Sequence, residues 1–118
     1  MDDLLILADV SDKMGIMGDA DMFSNDLLDD INLAVGTLIQ LGAAKATAIV
    51  DKSTKYSDIL LPNASIQNKM LVQSYIKLKV KVLFDTPATG AVGSSNIAAL
   101  NQLEWRVQLS VTNIDEPS

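Results

Sequence analysis

The sequence predicts an all-α fold, a small antiparallel bundle of three to four helices. Three observations carry that expectation. Long segments repeat apolar residues at three- and four-residue steps, the spacing of one buried helix face. The apolar mass, 48% of the 118 residues, is Leu, Ile, Val, Ala and Met, with only 4% aromatic. Breakers fall between the periodic segments, at Gly15 and Gly18, Gly42, Pro62, Pro87 and Pro117, where helices stop. The length suits a single domain over 1–118. It comprises an acidic N-terminal segment (1–23), an extended or hairpin arm (43–61) between helices 2 and 3, and an extended C-terminal tail (112–118).

The first helix is short. Asp2 or Asp3 precedes Leu4, Leu5, Leu7, Ala8 and Val10, and acids at a helix start complement the macrodipole. Gly15 and Gly18 end it, and 15–23 reads as a loop. The second helix is strongly patterned. Ser24 is placed to cap it, with Asp26, Asp29 and Asp30 in the early turns. Leu27, Leu28, Ile31, Ala34, Val35, Leu38 and Leu41 form its apolar face. Gly42 stands where a left-handed C-cap falls. Gly36, inside the helix, weakens it or marks a close helix contact.

Between them, Ala46–Val50 is rich in β-formers and reads as a short strand, with Asp51, Lys52 and Ser53 as a turn. The third helix opens after Pro62, capped by Asn63 or Ser65, and runs to about Phe84. Its predicted apolar face is Ile66, Met70, Leu71, Tyr75, Leu78 and Val82. Lys69, Gln73, Lys77 and Lys81 share another face at four-residue steps. Pro87 forbids continuation, and 85–93 reads as a loop. The fourth helix starts near Ser94 or Ser95 and buries Ile97, Leu100, Leu103, Val107 and Val111.

Composition narrows function by exclusion. There is no Cys and no His, so no disulfide can form, the commonest metal ligands are missing, and no His-based triad can be built. No catalytic residue, metal site or cofactor is expected. Asp26, Asp29 and Asp30 lack the ligand spacing and Gly turn of a hard-cation loop. Gly90-Ala91-Val92-Gly93 precedes a helix, but it lacks the Lys of a phosphate loop and follows a helix rather than a strand. The acidic start lacks the basic region of a signal peptide, and no apolar run reaches the roughly 20 residues of a membrane span. A chain made and assembled in the cytoplasm, away from membranes, is expected.

Charge is unevenly placed. Residues 1–30 carry nine Asp and one Lys, a net of -8; residues 31–118 carry eight Lys or Arg against six acids, a net of +2. The sum is the chain's -6. Such a balance disfavours free nucleic-acid binding, which rests on neutralising phosphates. It suits head-to-tail packing of copies, acidic part against basic part. The candidate contact residues are Lys69, Lys77 and Lys81 on one side and Asp26, Asp29 and Asp30 on the other. Each group also reads as a solvated face. Trp105, beside Arg106, lies off the strongest apolar stripe. It reads as a core-edge aromatic or as a contact anchor, since Trp and Arg are enriched at interface hot spots.

Two segments carry a resemblance. Tyr75-Ile76-Lys77-Leu78-Lys79-Val80-Lys81-Val82-Leu83-Phe84-Asp85-Thr86-Pro87 resembles a run found in phage head-to-tail connector proteins, and Leu103-Glu104-Trp105-Arg106-Val107 is similar to a segment near their C-terminal end. Ile31 to Gly42, ending in Gln40-Leu41-Gly42, and Tyr56-Ser57-Asp58-Ile59-Leu60 resemble two further family elements in the expected order. In the latter, Tyr56 stands for the usual Trp and Ile59 for an aromatic. The resemblance implies a structural virion protein of the neck: a homo-oligomeric ring, twelvefold by the family pattern, joining the portal to a stopper or tail component. Double-stranded DNA would pass through it without sequence-specific binding. It also implies portal docking by the C-terminal segment Val111, Thr112, Asn113, Ile114, Asp115, Glu116, Pro117 and Ser118. The alternatives are a stopper or tail-completion protein, which tends to be β-rich, and a small helical DNA-binding regulator, whose binding would fall steeply with salt.

Overall fold

The computed structural model describes residues 4–14, 20–62, 64–84 and 91–115, and the side chains of 4–13, 25–62, 64–83 and 97–111. Among these residues the fold is all-α, as expected: α1 (Ile6–Met14), α2 (Ala20–Gln40), α3 (Tyr56–Ile59), α4 (Ile66–Phe84) and α5 (Ala91–Asp115). Helix α4 is central. It packs against α2, α5 and α1, and α1 also packs on α2.

Helix α1 has Asp9 in its first turn and Lys13 in its last, both favourable to the macrodipole. Ile6 and Val10, four apart, are fully buried. Its start is tied to the segment before α3: Ile6 N–H donates to the Thr54 carbonyl and Tyr56 N–H to the Leu4 carbonyl. Leu5 and Lys55 thereby form an isolated antiparallel bridge. The expected starts at Asp2 or Asp3 lie outside the described residues.

Helix α2 begins at Ala20, four residues before the expected cap, so Ser24 lies inside it. Nothing in Ala20-Asp21-Met22-Phe23 breaks a helix, and Ala and Met favour one. Asp26, Asp29 and Asp30 are therefore beyond the first turn and cap nothing. The apolar face is the predicted one: Leu27, Ile31, Ala34, Val35 and Leu38 are buried. The C-terminus closes at Gly42, whose φ is 77°. Ala43 N–H reaches the Leu38 carbonyl at 2.8 Å and Gly42 N–H the Ile39 carbonyl at 3.0 Å, a Schellman motif that satisfies the last carbonyls. A Cβ on Gly36 would meet nothing within 4 Å, so no close contact within the protomer explains that glycine.

The expected strand, hairpin or projecting arm at 43–61 is not what forms. Ala43, Ala44, Val50, Thr54, Tyr56, Ile59 and Leu60 are buried against the body. At the end of the expected strand Ala46–Val50, both backbone groups of Val50 are taken by a side chain, and Ala48 N–H turns back to the Lys45 carbonyl. Val50 N–H donates to Asn32 Oδ1 (2.8 Å) and Asn32 Nδ2 donates to the Val50 carbonyl (3.0 Å). Tertiary context thus overrides β-propensity. Lower in the loop, the Asp51 carboxylate accepts Ser53 N–H, Ser53 Oγ and Thr54 Oγ1, an Asx turn. Those bonds hold its carboxyl below the usual range. Asp58 caps α3 by accepting Lys55 N–H.

Helix α4 is capped by Ser65, whose Oγ accepts Asn68 N–H at 3.0 Å. Its buried face overlaps the predicted one only in part: Tyr75 is buried, and Leu71, Leu78 and Val82 pack half-buried against the core. Asn68, Val72, Tyr75, Ile76 and Val80 are inside, whereas Ile66 and Met70 are 66% and 58% exposed. A helix covered on three sides shows no single stripe, so spacing alone misplaces part of its face. Helix α5 starts three residues before the expected Ser94 and continues through Asp115. Residues 112–115 are thus helical rather than an extended tail, because no Gly or Pro interrupts them. Leu100 and Val107 are buried, while Ile97 is 56% exposed.

Candidate assembly surface

Two polar clusters position the outer faces. In the first, Asp9 Oδ2 accepts the Tyr56 hydroxyl at 2.7 Å and pairs with Lys77 Nζ at 3.3 Å. One carboxylate thus ties α1 to both α3 and α4. Burial, then the bond to Asp9 and its charge, push the Tyr56 hydroxyl far above the ordinary tyrosine range. In the second, Tyr75 of α4 donates to Glu104 Oε2 of α5 at 3.0 Å. Burial first, then the Glu104 bond and charge, push Tyr75 up to about 12, while a bond from Thr37 of α2 opposes them. The Asn68 side chain, fully buried, donates to Ser110 Oγ at 2.7 Å, and Ser110 donates to the Val107 carbonyl.

These clusters decide which candidate residues stay available. Lys77 is engaged by Asp9 within its own protomer. Lys69 is half-buried, and Lys81 is exposed. Asp26 and Asp29 are exposed on the outer side of α2 and Asp30 is half-buried. Burial, then the charges of Asp26 and Asp29, raise the Asp30 pKa. Trp105 is 62% exposed, so it is no core-edge aromatic, and Arg106 beside it is exposed. The fold therefore does not bring the lysines and aspartates together within one chain, apart from Lys77 and Asp9. Val111 is half-buried against the core, its Cγ1 3.6 Å from where a Gly42 Cβ would stand. The side chains of Thr112, Asn113, Ile114, Asp115, Glu116, Pro117 and Ser118 lie outside the described residues.

Sequence reasoning missed the exposed apolar groups. Leu33 on α2 is 60% exposed, and Leu109 joins Ile97 and Trp105 on the outside of α5. Four-residue spacing from Ile97 through Trp105 to Leu109 was the available signal. Among the described residues no cluster of three or more Asp or Glu is placed to hold a metal ion, and no helix is long and apolar enough to cross a membrane.

A family model described as Phage connector protein matches residues 6–113. The chain belongs to that family. The match opens at the first residue of α1 and closes two residues short of the end of α5, so it takes in the whole helical body. Comparison with curated proteins and with solved structures finds no match. The connector's role is accordingly structural, in the phage particle. Tyr75 and Glu104 stand in the two segments that carried the resemblance, and the hydrogen bond between them joins those segments in space.

Proposed function

We propose that this connector is a subunit of an adaptor ring in the virion neck, between the portal and the stopper or tail, and that the ring lengthens the DNA channel. The family match over residues 6–113 carries the reading. Large apolar side chains exposed on a small body support it, since such surface is usually covered by partners. The net charge of -6 fits a wall that lets DNA slide past without holding it. In this reading the C-terminal segment, from the end of α5 to Ser118, docks on the portal. Lys69, Lys81, Trp105, Arg106, Asp26, Asp29 and Asp30 are the candidates for contacts between copies, and Lys77 acts within the protomer. Twelve copies would match a portal of that symmetry.

The test is electron microscopy of the purified connector mixed with portal-bearing heads. A closed ring seated on the portal is expected. A chain truncated after Val111 should lose attachment while keeping its helical circular dichroism, apart from the last turn. Normal attachment by the truncated chain would refute tail docking, and the absence of any ring would refute the adaptor reading.

A further inference from the structure

Helix α2 contains a glycine that its own protomer does not explain. A glycine inside a helix costs about 1 kcal/mol relative to alanine. Such a cost is normally offset by a close packing contact, yet a Cβ on Gly36 would touch nothing within 4 Å. Gly36 lies on the side of α2 opposite its buried face. Seven residues before it stands Asp29 and three before it Leu33, both exposed, so helical spacing places all three on one outer ridge. Gly36 is half-buried, and the open space where its Cβ would stand leaves room for a close approach by a second body.

The outer ridge of α5 has the matching features. Ile97, Trp105 and Leu109 lie along it and are exposed. Its one cation, Arg106, adjoins Trp105. The helix's acid at Glu104 is turned inward onto Tyr75. Helix α2, by contrast, carries Asp21, Asp26, Asp29 and Asp30 with no Lys or Arg. Burial, and then the charges of Asp26 and Asp29, raise Asp30, and a neighbour's cation would offset the repulsion among the three. Pairing either ridge with itself would set Arg106 against Arg106 or Asp29 against Asp29. Both helices pack against α4.

We infer that the outer ridge of α5 seats on the outer ridge of α2 in a second copy of this chain. Trp105 lies against Leu33 and the open space at Gly36, and Arg106 faces Asp26 and Asp29. The contact joins two different patches, so repetition closes a ring or continues as a filament. The assignment rests on the ring reading above and names its subunit contact.

The experiment is sedimentation of the purified connector, alone and with portal, for the unchanged chain and for Gly36→Leu, Trp105→Ala, Arg106→Glu and Asp29→Lys. Gly36→Leu should leave the thermal midpoint unchanged or higher while weakening self-association roughly thirtyfold or more, the loss typical of a hot spot. Trp105→Ala should weaken it similarly with the fold intact. Arg106→Glu and Asp29→Lys should each fail alone and assemble when mixed in equal amounts, since every α5-to-α2 contact in an alternating ring is then complementary. Assembly of Gly36→Leu and Trp105→Ala at the unchanged chain's level would overturn this contact and leave the ring standing. Failure of the unchanged chain to assemble in any condition would overturn both.

Discussion

Replacing Tyr75 by Phe removes one oxygen from the fully buried center of the fold. The lost bond is the 3.0 Å donation to Glu104, and a hydrogen bond to a charged acceptor contributes about 1.5–3 kcal/mol. The rise of Tyr75 from 10.0 to about 12 comes from burial first and from the Glu104 bond and charge second, so it governs the pH dependence rather than the worth of the bond. Glu104 is partly solvated, which screens the pair, so a loss of about 1.5–2 kcal/mol is expected at about pH 8. The sign of the alkaline effect follows from the raised value. An unfolded tyrosine loses its proton near 10 while Tyr75 in the fold keeps it. The contribution is therefore complete below pH 10 and is lost as pH rises toward 12. By about pH 11 the unchanged protein should have lost roughly 1.4 kcal/mol that Tyr75→Phe does not lose. Urea unfolding followed by circular dichroism at both pH values measures the difference. Every other group is common to the two proteins, so its contribution cancels in the difference. Parallel losses in the two proteins, or a difference under about 0.5 kcal/mol at pH 8, would refute the role assigned to this bond.

Two further outcomes are expected. Gly36→Ala should stabilise the protomer by about 0.5–1 kcal/mol, whereas Gly42→Ala should cost about 1–2 kcal/mol because φ there is 77°; thermal melts showing the same sign for both would contradict the structure. Asn32→Ala should cost about 1–3 kcal/mol by leaving both polar backbone groups of Val50 unpaired, and should speed hydrogen exchange at the Val50 amide while α2 stays protected. Unchanged exchange at Val50 would mean that something else holds the loop.

What the sequence revealed was local. The α2 stripe from Leu27 to Leu38, the turn at Gly42, the Ser65 cap and the extent of α4 all follow from neighbours within a turn or two. The segments Tyr75–Pro87 and Leu103–Val107 also point to the family. What stayed hidden depended on distant partners. Asn32 takes both backbone groups of Val50, at the end of the expected strand, from 18 residues away. Asp9 takes Lys77 from the basic stripe, so that stripe is smaller than spacing suggests. The α4 face is legible only in part: Leu71, Tyr75, Leu78 and Val82 meet the core, but three neighbours share the helix, and Ile66 and Met70 fall on its exposed side. Trp105 was ambiguous in sequence because an apolar residue off the main stripe reads equally as core edge or contact; its exposure removes the first reading.

The grip of Asn32 on Val50 reads only main-chain atoms, an N–H and a carbonyl that every residue except proline supplies. The crossing between α2 and α3 is therefore held by its backbone, while Ala46, Thr47 and Ile49 at its tip face outward. Those tip letters can be rewritten without disturbing the course of the chain beneath them. The crossing can therefore change its outward chemistry while the core beneath it keeps its packing.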